Sequence, residues 1–149
     1  MANPATMRRL IDLSRQKMDA AGQYLAQLQQ HCRLAEQKLA ILQQYAGEYR
    51  ARLGQRQASG LDIASMQEYL RFLKQLDHAV QAQTQEVARH QRFCDMALGQ
   101  WMQARQSVKG FETLESRQLA EQHLQELKQL QKVMDEYASR AAAGPGKLA

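Results

Sequence analysis

The chain has 149 residues, enough for one ordinary domain, yet aromatic residues make up only 6% of it and its two prolines are Pro4 and Pro145. A long proline-free run rich in Gln, Ala, Leu, Lys and Arg excludes a sandwich, a barrel or a βαβ unit and predicts an all-α protein. The net charge of +5 comes from Lys and Arg scattered among Glu and Asp, the pattern of a solvated helical surface and not of a nucleic-acid-binding stripe.

Taken in chain order, Met1 to Leu10 lacks a signal-peptide core, and no apolar run approaches the roughly 20 residues that span a bilayer, so the expected location is cytoplasmic. Helix one is predicted over about 4–53, with Asn3 as its cap and Pro4 at its first position. Steps of four and three from Met7 land on Ile11, Ser14, Met18, Ala21, Leu25, Leu28, Cys32, Ala35, Leu39, Leu42, Ala46, Tyr49 and Leu53. That spacing of about 3.5 residues is the coiled-coil period, a narrow seam that stays in phase and asks for another long helix beside it.

A loop is expected over about 54–64, where Gly54, Ser59 and Gly60 break the pattern, with two possible helix starts: Asp62 as cap, or Ser65 with Glu68 as a capping box. Helix two is predicted over about 65–141. Its seam reads Met66, Tyr69, Leu73, Leu76, Val80, Gln83, Val87, His90, Cys94, Ala97, Trp101, Ala104, Val108 and Phe111. Folding the stripes together pairs Leu53 with Met66, Leu39 with Val80, Met18 with Trp101 and Ile11 with Val108, and it places Tyr45 near Phe72, Tyr24 near Phe93 and His31 near Glu86. The expected fold is an elongated antiparallel two-helix coiled coil, a single hairpin over 1–143 with helix two the longer, and 144–149 form a disordered tail. In this pairing Cys32 and Cys94 stand about seven residues, or about 10 Å of rise, apart, too far for a bridge, and both read as small core residues.

From Glu112 to about Arg140 helix two has no partner, although it carries Leu114, Leu119, Leu124, Leu127, Leu130, Met134 and Tyr137. An amphipathic face left uncovered over about 45 Å of helix frays or binds something. No catalytic constellation assembles: Gly144 to Lys147 lacks the strand and helix of a phosphate loop, and His31, His78, His90 and His123 are too scattered to be metal ligands. The reading is a non-enzyme without cofactor or metal. Function then lies on surfaces: the flank of Tyr45, Leu70 and Phe72, the unpaired helix with Arg8 and Arg9 at the same end, and the scattered Leu13, Leu34 and Ile41.

Tyr45, Glu48, Tyr49 and Arg50, the run Phe72 to Leu76, then Thr113, Leu114, Arg117 and Gln118, and finally Met134 to Ala138 with Arg140 to Ala142, resemble the FliJ family of flagellar export proteins. The likeness covers nearly the whole chain, and these signatures are not heptad requirements. The resemblance implies a soluble, stalk-like component of the flagellar type III export apparatus. Its implied partners are the hexameric export ATPase FliI, whose pore it enters and whose assembly it promotes, the export gate protein FlhA, and the escort chaperones of late substrates. It also implies peripheral association with the cytoplasmic face of the inner membrane. The family's gate-binding aromatic and leucine are matched by Phe72 and Leu76, although Leu76 also lies on the seam. For the ATPase ring the candidates are Arg8, Arg9, Leu127, Leu130, Met134, Asp135, Glu136, Tyr137 and Arg140. A chaperone-like coiled coil holding export clients and a basic nucleic-acid-binding hairpin are the competing readings; the latter requires a phosphate-spaced basic stripe that this chain lacks.

Overall fold

The computed structural model describes the backbone of residues 3–147 and the side chains of residues 3–144. Two helices account for it: α1, Pro4–Ala58, of 55 residues, and the longer α2, Ile63–Lys147, of 85 residues. They pack as an antiparallel coiled coil, with no strand among the described residues. At the start of α1 the Asn3 side-chain oxygen accepts the Ala5 N–H at 3.1 Å, satisfying one of the free donors of the first turn, and its carbonyl accepts the Met7 N–H at 2.9 Å as the first regular helical bond.

The connection between the helices is shorter than the sequence suggests. Gly54 does not end α1, because a glycine costs a helix only about 1 kcal/mol and Gln55, Arg56, Gln57 and Ala58 carry the helix onward. The turn is made at Ser59 and Gly60. The Ser59 N–H bonds to the Gln55 carbonyl, its hydroxyl donates to the Gln55 and Arg56 carbonyls, and Gly60 takes a φ of 90°, where a side chain would be strained. α2 then starts from Asp62, whose carbonyl accepts the Met66 N–H at 3.0 Å. A hydrogen bond from the Ser65 side chain holds the Asp62 carboxyl below the ordinary carboxylate range, so Ser65 serves the cap from inside the helix and is not itself the cap. At the other end α2 continues past 141 to Lys147, where Ala141 to Ala143, the best helix formers, carry it; of the tail expected at 144–149, residues 148 and 149 lie outside the described residues.

The chain divides into two compact units, one spanning Lys17–Ala104 and the other combining residues up to Gln16 with those from Arg105 onward. In the first, Cys32, Ala35, Ala46 and Leu53 of α1 are buried with Leu76, Val87 and Ala97 of α2. Gln83 is buried there too, and its Nε2 donates to the Ala35 carbonyl at 3.0 Å, which explains how a polar side chain sits in the seam without a desolvation penalty. The His31 and His90 rings meet edge-on at 6.3 Å. Gly22 receives the indole of Trp101, whose Nε1 lies 3.3 Å from where a Cβ would be. Trp101 thus stands one turn away from its expected partner, Met18, because only a residue without a side chain leaves room for the indole.

In the second unit Met7, Ile11 and Val108 form the core, and Ile11 is fully enclosed. The Ser14 hydroxyl, also buried, donates to the Ile11 carbonyl of its own helix at 2.8 Å. Packing does not stop at Phe111: Arg15 Nη2 bonds Glu112 at 3.0 Å and Arg8 reaches Glu115 at 3.9 Å. Long polar side chains thus extend the covered part of α2 to about Gln118, beyond the last apolar seam residue. From Leu119 to Gly144 every residue is exposed.

Candidate functional site

Two surfaces carry the residues singled out from the sequence. The first lies beside the turn. Tyr49 projects from α1 between two rings of α2, with its centroid 4.7 Å from that of Phe72 and 5.1 Å from that of Tyr69. Both spacings fall in the range of favourable tilted aromatic pairs. Arg56 lies over Tyr69 at 5.9 Å, and Arg50 forms an ion pair with Asp77 across the helices. Burial, then the neighbouring Tyr69, Tyr45 and Glu68, push the Tyr49 phenol above its ordinary pKa, so it remains a neutral ring with a hydroxyl donor.

These contacts orient Phe72 but leave it 37% exposed, with Tyr45 and Leu70 exposed beside it. Leu76 is only 8% exposed and belongs to the core. Of the two gate-binding candidates, then, Phe72 is on the surface and Leu76 supports the helix pair beneath it. The ring that Phe72 meets is Tyr49, one turn from the expected Tyr45. This cluster was not recognised from the sequence, since Tyr49 and Tyr69 both read there as ordinary seam residues.

The second surface is the free length of α2. Leu119, Leu124, Leu127, Leu130, Val133, Met134 and Tyr137 all lie exposed along it, Tyr137 at 76%. Asp135, Glu136 and Arg140 are exposed among them, as are Arg8 and Arg9 on α1. The structure does not bring these polar residues together. Arg8 is engaged with Glu115, and Asp135 lies about 30 Å of helical rise beyond that contact. Among the described residues no cluster of three or more His, Cys, Asp or Glu side chains is disposed to hold a metal ion. Nor is any helix among them long and apolar enough to cross a membrane.

A family model described as "Flagellar FliJ protein" matches residues 4–147. The chain belongs to the FliJ family. Among curated relatives, the flagellar FliJ protein of Salmonella typhi is 31% identical over 142 residues, covering 95% of this chain and 97% of the relative. That of Escherichia coli (strain K12) is 30% identical over 142 residues with the same coverage. Membership of the FliJ family makes the protein a non-enzymatic component of the flagellar export apparatus, serving flagellum biogenesis and protein export.

Proposed function

We propose that the protein acts as the central-stalk-like rod of the export apparatus: it binds the hexameric export ATPase through the free length of α2, promotes ring assembly and activity, and meets the export gate through the flank at Phe72. The observation that carries this reading is the continuous exposure of α2 from Leu119 to Gly144 while seven large apolar side chains remain on it. Soluble monomers rarely leave so long an apolar stripe without a partner. Inside a ring of six identical subunits a single helix presents a different face to each, so differential contacts bias one nucleotide site at a time. Leu127, Leu130, Met134 and Tyr137 supply the apolar contact, and Asp135, Glu136 and Arg140 the polar one. Because Arg8 and Arg9 lie far along the helix from Asp135, they serve a separate contact at the base of the free segment.

The gate contact rests on Phe72, with Tyr45 and Leu70 exposed nearby and Tyr49 packed against its ring. Leu76 acts through the helix pair and not by direct contact. Docking to the gate places the protein peripherally at the cytoplasmic face of the inner membrane, and the same exposed surfaces receive escort chaperones of late substrates.

The test is the ATPase rate and oligomeric state of the cognate export ATPase with the full chain and with a chain ending at Gln118, which keeps the Arg15–Glu112 and Arg8–Glu115 pairs. Stimulation and ring formation by the full chain alone support the stalk reading. Equal stimulation by both chains moves the contact elsewhere, and no stimulation by either removes the reading.

A further inference from the structure

Cys32 of α1 and Cys94 of α2 are both free thiols, and they line one cleft of about 340 Å³ with Gln29, Arg33 and Glu36. The heptad pattern alone had set them about seven residues apart; in the structure both thiols open into the same cleft, and Trp101, expected against Met18, likewise sits one turn along at Gly22. The Cys32 Sγ–H donates to Glu36 Oε1 at 3.6 Å, and Gln91 Nε2 donates to the same oxygen at 3.4 Å from the opposite helix. One carboxylate is thus held at the thiol pair by residues of both helices.

We infer that Cys32 and Cys94 form an oxidation site, an interhelical disulfide made by a small-molecule disulfide such as oxidised glutathione, that locks the register of the two helices. The chemistry follows from the asymmetry of the pair. Cys94 is half-exposed while Cys32 is buried, so the reagent meets Cys94 first. The Cys94 thiolate attacks one reagent sulfur, the reagent S–S bond breaks, one glutathione thiolate leaves, and a mixed disulfide stands on Cys94. Cys32 then gives its proton to Glu36, its sulfur attacks Cys94 Sγ, and the second glutathione leaves as thiolate. Two protein thiols are oxidised, one glutathione disulfide is reduced to two thiols, and no other reactant is needed.

Glu36 matters because the Cys32 thiol is hard to ionise. Burial first, then the hydrogen bond and charge of Glu36, then Cys94, all raise its pKa. A base in contact with the Sγ–H is the means by which such a thiol reaches its reactive form. Closing the bond joins points on opposite sides of the turn, across a seam whose adjacent positions are Ala35 on α1 and His90 and Ala97 on α2, small and polar residues that hold register weakly. The cross-link supplies the constraint that those small and polar layers lack.

The experiment is to treat the reduced, full-length chain with oxidised glutathione and follow its intact mass and its thermal unfolding. The expected product is a monomer that has lost two hydrogens and carries no adduct, with a midpoint raised by about 10 °C that returns on reduction. C32S is expected to stop at a glutathione adduct on Cys94, and E36Q to convert that adduct to the disulfide more slowly than the wild type. A wild-type chain that keeps the adduct, links to a second copy, or stays fully reduced would overturn the inference. The wild-type mass decides the matter whether or not the variants fold.

Discussion

The seating of Trp101 on Gly22 can be tested by adding a single methyl group. At Gly99, also in the middle of a helix, a new Cβ meets nothing within 4 Å. Gly99→Ala therefore gains the full helix-propensity difference of about 1 kcal/mol. For a chain of this length that raises the unfolding midpoint by about 3 °C. At Gly22 the same gain is opposed, because the new Cβ would stand 3.3 Å from Trp101 Nε1 and 3.4 Å from its Cδ1. The indole must yield by a few tenths of an ångström, and an off-rotamer displacement costs about 0.5–1.5 kcal/mol. The two terms cancel, so Gly22→Ala leaves the midpoint nearly unchanged. Gly22→Leu has no such balance and costs about 1–3 kcal/mol from overpacking. Thermal unfolding followed by far-ultraviolet circular dichroism separates the three variants. Equal stabilisation by Gly22→Ala and Gly99→Ala would show that Trp101 is not seated there, and the helix register drawn from that contact would fall with it.

Four further outcomes follow from the geometry. Leu76→Ala destabilises the helix pair by about 2–4 kcal/mol because it opens a cavity in the seam, whereas Phe72→Ala costs about 1 kcal/mol, so urea titration separates the scaffold residue from the surface one. Gly60→Ala costs about 1 kcal/mol through its positive φ, measured in the same way. The Asp62 cap contributes stability above the ordinary carboxylate pKa and loses it as pH falls through the depressed folded value; Asp62→Ala accordingly shows a flatter acid limb of stability against pH. Arg15 and Glu112 are both substantially exposed, so a double-mutant cycle returns a coupling below about 1 kcal/mol that shrinks as salt is raised.

The recurrence of apolar residues from Met7 to Phe111, with no proline inside it, determined by itself that two long helices pair antiparallel about one turn of chain. It also placed Leu76 in the seam, where the structure buries it, and identified Leu127, Leu130, Met134 and Tyr137 as apolar residues without a partner on their own chain. The family signatures, Tyr49-Arg50 and Met134 to Ala138, were legible for a different reason: they depart from what a heptad needs.

Register was left to the tertiary structure. A heptad pattern slid by one turn still sets apolar against apolar, so periodicity does not distinguish neighbouring registers. Individual layers decide: the indole of Trp101 fits where Gly22 has no side chain, and Gln83 finds the Ala35 carbonyl. Phe72 against Tyr49 and Cys94 in one cleft with Cys32 are further contacts of individual side chains that the average spacing did not pick out. The reach of Arg8 and Arg15 across to Glu115 and Glu112 likewise sets where the free helix begins. Such contacts depend on the length of particular side chains at particular positions, and an average spacing carries no record of them.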